Sequence, residues 1–150
     1  MKEIIDMLKQ YLGQETKLKV IMDPQPIKSA EPHLRLTFVG SGNQGASHCT
    51  VSFQLTIVGA GDGPDVFLDR IIEASLAVSD LYNSGLHEGR RYADINLTSG
   101  RGSFRVNFPD TINNSGQFVQ NDSIEGETSV WAYVYTEPHV VDVVFNRALR

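Results

Sequence analysis

The sequence predicts an α+β fold: one domain in which a mixed or antiparallel β-sheet is covered by one long helix and a short N-terminal helix, with an extra β-hairpin. Three observations carry this. Two runs, His33 to Val39 and Ser47 to Val58, alternate apolar and polar residues with the period of two of a sheet that turns one face to a core. The stretch from Pro64 to about Asn83 has instead the periodicity of an amphipathic helix. Finally, 150 residues with 41% apolar and 21% charged content suit a single globular domain. A chain of this length buries roughly 68–70% of the surface its unfolded form exposes, so it needs neither metal nor disulfide to fold.

The elements follow in order. Ile4, Ile5, Met7, Leu8, Tyr11 and Leu12 fall on one side of a short helix, with Lys2, Glu3, Asp6, Lys9 and Gln10 opposite. Gly13 is placed to stop it as a C-terminal cap. Leu18 to Met22 reads as a strand ended by Asp23-Pro24-Gln25-Pro26, which cannot continue a central ladder. In the first alternating strand Leu34, Leu36 and Phe38 oppose Arg35 and Thr37; in the second Cys49, Val51, Phe53, Leu55 and Ile57 oppose Thr50, Ser52, Gln54 and Thr56. Pro64 suits the first position of the long helix, and Asp62, Asp65 and Asp69 favour the positive end of its dipole. Val66, Phe67, Ile71, Ala74, Val78, Leu81 and Tyr82 form the face that lies on the sheet. A hairpin, Tyr92–Leu97 with Ser103–Phe108, turns at Ser99-Gly100-Arg101-Gly102. Residues 110–128, rich in Asn, Ser, Gly and acids, read as a long loop, and Glu127–Thr136 as an aromatic last strand through Trp131, Tyr133 and Tyr135.

Several function classes are set aside on chemistry. The net charge of −5 argues against a surface built to grip nucleic acid throughout. The single cysteine, Cys49, shares its face with Val51 and Phe53 and reads as an inert core thiol, so no disulfide framework or Cys-rich zinc site is expected. His33, His48, His87 and His139 have no chelating helical spacing, and His48 and Cys49 point to opposite faces of a strand, so no metal is expected. No apolar run approaches the roughly 18 residues of a membrane span. The opening MKEIIDMLKQYLG is amphipathic and acid-bearing rather than a secretory signal, which points to the cytoplasm.

Two glycine motifs fail on context. Gly40-Ser41-Gly42-Asn43-Gln44-Gly45 matches G-x-G-x-x-G, with Asp62 about 20 residues on, but it opens a strand rather than a helix and reads as a hairpin turn. Gly59-Ala60-Gly61-Asp62-Gly63 does precede a helix, yet three acids crowd that end and no P-loop Lys is present. No G-x-S-x-G elbow occurs, and nothing pairs a serine with a base, so neither catalytic nor cofactor-binding residues are expected and the chain is read as a non-enzyme.

Charge is distributed unevenly. Asp65, Asp69, Glu73 and Asp80 form a stripe on the long helix with Leu76 among them, and like charges at i,i+4 repel by a few tenths of a kcal/mol per pair. Arg90, Arg91, Arg101 and Arg105 make the hairpin region basic. Taken together, Asp65, Asp69, Glu73 and Leu76 of one subunit and the four arginines of the next form a candidate heterologous interface, the type that closes into rings. Tyr92, Phe104 and Phe108 near the arginines superficially resemble a nucleic-acid stacking surface, which the flanking acids weaken.

The order of a short amphipathic helix, a strand ending in Asp-Pro-x-Pro, a Gly-tipped hairpin and GDGPDVFLDRIIEASLAVSDLY resembles the small tail-terminator (tail-completion) proteins of long-tailed bacteriophages and prophages. The resemblance covers most of the chain. It implies a structural role: six copies form a ring on the finished tail tube, stop its polymerisation and present the head-joining surface. The implied partners are further copies of the chain, the tail tube protein and a head-completion or connector protein, with DNA touching it only in passage and no membrane or cofactor. The implied location is the bacterial cytoplasm during assembly and then the virion tail. Residues 97–105 and 110–128 are the segments that would make ring and tube contacts. The alternative is an adaptor domain that binds a protein through Trp131, Tyr133 and Tyr135.

Overall fold

Ile4, Leu8 and Leu12 share one helical face with Thr16, and all four are buried, so the first helix, α1 (Lys2–Thr16), runs a turn past the expected stop at Gly13. Its cap is Lys17, in the left-handed region at φ 59°, whose N–H donates to Gly13 O at 2.8 Å. Thr16 Oγ1 donates to Leu12 O at 2.6 Å and closes the last turn. Gly13 has a different purpose from capping: a Cβ there would meet Leu18 O at 3.4 Å and Val20 Cγ2 at 3.8 Å, where the chain folds back beneath the helix. The computed structural model describes residues 1–25, 31–45, 47–61, 64–84, 86–87, 90–108, 117–120 and 133–149.

Among the described residues eight strands make one mixed sheet: β1 (Lys19–Met22), β2 (His33–Gln44), β3 (His48–Gly61), β4 (Leu86–His87), β5 (Arg90–Asn96), β6 (Ser103–Asn107), β7 (Gln117–Gln120) and β8 (Tyr133–Asn146). Their order is β1-β2-β3-β8-β6-β5-β4, with β7 also paired to β8; β1 and β2 are parallel and the other pairs antiparallel. The second helix, α2 (Pro64–Ser84), agrees closely with the expected span, and a 3-10 turn, Arg147–Leu149, follows β8.

Registry explains the core. Leu34 lies opposite Ile57, Leu36 opposite Leu55, Val51 opposite Val143, Phe53 opposite Val141, and Phe145 opposite both Cys49 and Phe104. Directly opposed residues share a face, so the period-two pattern of four strands sums to one apolar surface. Ile4, Leu8 and Leu12 of α1 and Ile71, Ala74, Val78 and Leu81 of α2 cover it. Tyr82 is anchored in that layer, its ring 5.1 Å from Phe108 and its hydroxyl donating to Val140 O at 3.1 Å. The opposite face is polar and partly buried at Thr50, Ser52, Gln54 and Thr56; Ser52 Oγ donates to Asp142 Oδ1 at 2.6 Å. Among the described residues no helix is long and apolar enough to cross a membrane.

The largest departure from expectation is the last strand. Its described part, Tyr133–Asn146, continues past the expected end at Thr136 and lies in the middle of the sheet, pairing with β3 over that length. Pro138 looks like a strand terminator because it lacks an N–H. It is accommodated because β7 partners residues 133–136 of β8 and β6 partners residues 142–145, so Pro138 falls in the interval between them. Residues 127–132, Trp131 included, lie outside the described residues. Within the expected loop 110–128, Gln117–Gln120 is strand β7, and the rest lies outside the described residues.

The hairpin of β5 and β6 turns where expected. Leu97 N–H donates to Gly102 O at 2.8 Å, and Gly100 and Gly102 adopt φ 77° and 147°. It is no separate appendage, since β6 joins β8 in the main sheet. The G-x-G-x-x-G stretch is mostly strand, with a register shift at Val39, and only Gly45 (φ 79°) begins the turn.

Candidate functional site

The outer side of α2 is the first surface with recognition character. Leu68, Ile72 and Leu76, spaced i, i+4, i+8, are 43%, 47% and 58% exposed, whereas Ile71, Ala74 and Val78 face the sheet. Asp69, Glu73 and Asp80 are exposed beside this stripe. On another side of the helix Arg70 pairs with Glu31 at 2.7 Å. Asp65 lies in the first turn of α2, its side chain outside the described residues. The sequence reading singled out Leu76 alone; Leu68 and Ile72 were legible by the same spacing, as a second apolar line beside the core-facing one.

Arg101 and Arg105, the two of the four arginines whose side chains are described, are each engaged within the chain, on different partners. Arg105 Nε and Nη2 clasp Asp94 at 2.8 and 3.1 Å, and its guanidinium carbon sits 4.0 Å from the Tyr92 ring centre. Those hydrogen bonds hold the Asp94 carboxyl below the usual carboxylate range and push the Arg105 guanidinium up. Arg105 is thus matched within its own chain. Arg101 is exposed on the β5–β6 turn, with Nη2 donating to Ala148 O at 3.1 Å. Arg90 and Arg91 open β5, in register with His87 and Leu86, and their side chains lie outside the described residues. Beside Arg101, Glu3 of α1 accepts from Ser99 N at 3.1 Å and Ser99 Oγ at 3.0 Å, which lowers its pKa.

A polar network missed by the sequence reading lies where β1 leaves the sheet. Arg35, in the polar register of β2, is only 7% exposed and His33 only 4%. Arg35 Nε donates to His33 Nε2 at 3.0 Å, and Nη1 donates to Asp23 Oδ1 at 2.8 Å and to Gln25 O. Asp23 also accepts from Thr37 Oγ1 at 2.7 Å. Because Nε2 of His33 accepts, its proton resides on Nδ1, which donates to Glu31 O at 3.0 Å. The ring is therefore neutral: burial lowers its pKa, and the Arg35 charge lowers it further against the Glu31 hydrogen bond. These donors are spent within the chain, and the network holds the Asp23–Gln25 segment to the sheet. Period-two alternation places Arg35 on the polar face, but it cannot reveal that the following segment folds over that face.

The third feature is a groove of about 620 Å³ between the start of α1 and the outer half of β2 and β3. Ile5, Met22, Phe38, Val51 and Phe53 make its apolar walls, and Arg147 lines it with no Asp or Glu among the lining residues. Phe38 is 59% exposed despite its inward register, with its ring 6.4 Å from that of Phe53 in an edge-to-face arrangement. Cys49 also lines the groove, half-buried, with Sγ 3.9 Å from Phe145 O. Among the described residues no cluster of three or more His, Cys, Asp or Glu is placed to hold a metal ion. No protein-family model and no curated protein sequence matches the chain.

Proposed function

We propose that the protein is a non-enzymatic assembly subunit that closes into a ring and caps a polymer, as a tail terminator of a long-tailed phage or prophage does. One observation carries the reading: a single chain bears an exposed acidic and apolar helix face at Asp69, Glu73 and Leu76, and an exposed Arg101 on a different element, the β5–β6 turn. Such unlike surfaces favour a heterologous, head-to-tail contact, which generates closed rings when the rotation per subunit divides a full turn. Charge complementarity then sets register and partner choice more than affinity.

In this role six copies sit on the finished tail tube, block further tube subunits and offer the opposite rim to a head-completion or connector protein. DNA passes through without dedicated contacts, in keeping with the net charge of −5. The test is electron microscopy of tails assembled with and without the protein. Overlong, headless tails in its absence, shortened by adding it back, are the expected result. Tails of normal length that join heads without it would overturn the reading.

A further inference from the structure

We infer that the stripe of Leu68, Ile72 and Leu76 on α2 docks into the Phe38 groove of a second copy of this chain. The partner's identity rests on the ring reading above. Three features on the page select this occupant. First, the stripe is an i, i+4, i+8 row spanning about 12 Å of helix axis, the pattern with which an amphipathic helix enters an apolar groove. Second, the same chain presents an open groove whose walls are apolar and whose aromatic Phe38 is left 59% exposed by its own fold. The stripe cannot fill its own groove, because α2 is tied to the sheet through Ile71, Ala74, Val78 and Tyr82.

Third, the charges are complementary. Asp69, Glu73 and Asp80 border the stripe. Arg147 lines the groove, and no Asp or Glu is among its lining residues. Insertion of the stripe therefore brings three carboxylates toward a groove whose charged lining residue is Arg147. Because donor and acceptor surfaces differ, each copy uses both, and the contact propagates head to tail. Arg105, already clasped by Asp94, is not needed for it.

Complementary variants test this. Leu76→Glu charges the stripe and leaves the groove intact. Ser41→Trp fills the groove from an exposed position opposite Val51 in the strand register and leaves the stripe intact. Both sites are surface positions, and circular dichroism melts serve as the folding control. The expected result in light scattering is concentration-dependent association of the unaltered protein, monomers for each variant alone, and dimers that grow no further when the two variants are mixed. Only one intact stripe-and-groove pair exists in that mixture. If both folded variants assemble like the unaltered protein, the docking is overturned while the ring reading stands on another surface. If the unaltered protein stays monomeric to millimolar concentration, the docking is likewise overturned, and the tail-length assay alone then decides the ring reading.

Discussion

Replacing Arg35 by Met should be among the most costly single changes outside the apolar core. The substitution keeps the unbranched stem but removes the charge, leaving Asp23 with Thr37 as its side-chain donor and His33 Nε2 and Gln25 O without theirs. Breaking a fully buried ion pair from one side costs about 3–5 kcal/mol. Asp23 retains 28% side-chain exposure and is partly rehydrated, so the lower end, about 3 kcal/mol, applies here. Against a total stability of about 5–15 kcal/mol this is a large fraction. For a domain of this size it corresponds to a fall in Tm of roughly 6–12 °C. Urea unfolding followed by circular dichroism should show a lower midpoint at unchanged slope. The double variant Arg35→Met/Asp23→Leu should recover much of the loss, because no charge is then left stranded. A single variant within about 1 kcal/mol of the unaltered protein would refute the reasoning, since it would mean that the network contributes no more than an exposed pair.

Three further outcomes are expected. Burial holds His33 below its ordinary pKa of 6.5, so below that pH the unfolded chain takes up a proton that the folded chain refuses. Stability is then full above pH 6.5 and falls as pH drops below it; calorimetry from about pH 7.5 to about pH 5.5 should show the decline, flattened in His33→Gln. Glu3 and Asp94, both lowered, lose their contributions only below their ordinary values of 4.5 and 3.8, which separates the two windows. Gly102→Ala should destabilise by about 1 kcal/mol or more, because φ is 147°, a conformation that side-chain-bearing residues rarely adopt; Gly42→Ala, with nothing within 4 Å, should be neutral or slightly stabilising in the same thermal melts. Arg105→Ala should cost less than about 1 kcal/mol, its partner being exposed, while NMR titration should show the Asp94 carboxyl returning toward its ordinary range.

Local periodicity was enough for the α+β class, both helices, the alternating strands β2 and β3, and the β5–β6 turn, because each is written in a window of a few residues: period two, period 3.6, or glycines at positive φ. It also marked the exposed acids of α2 around Leu76. What depended on the tertiary structure was every feature made by segments distant in the chain. Pro138 reads locally as the end of a strand, and only the placement of β7 and β6 along β8 shows why that strand continues through the centre of the sheet. Arg35 reads as a solvent-facing polar residue, and only the return of Asp23–Gln25 across it makes it a buried ion pair. Arg105 reads as part of a basic patch until Asp94, across the hairpin, takes its charge. The groove likewise needs α1, β2, β3 and β8 at once: residues as far apart as Ile5 and Phe145 line it, and no local pattern encodes that proximity.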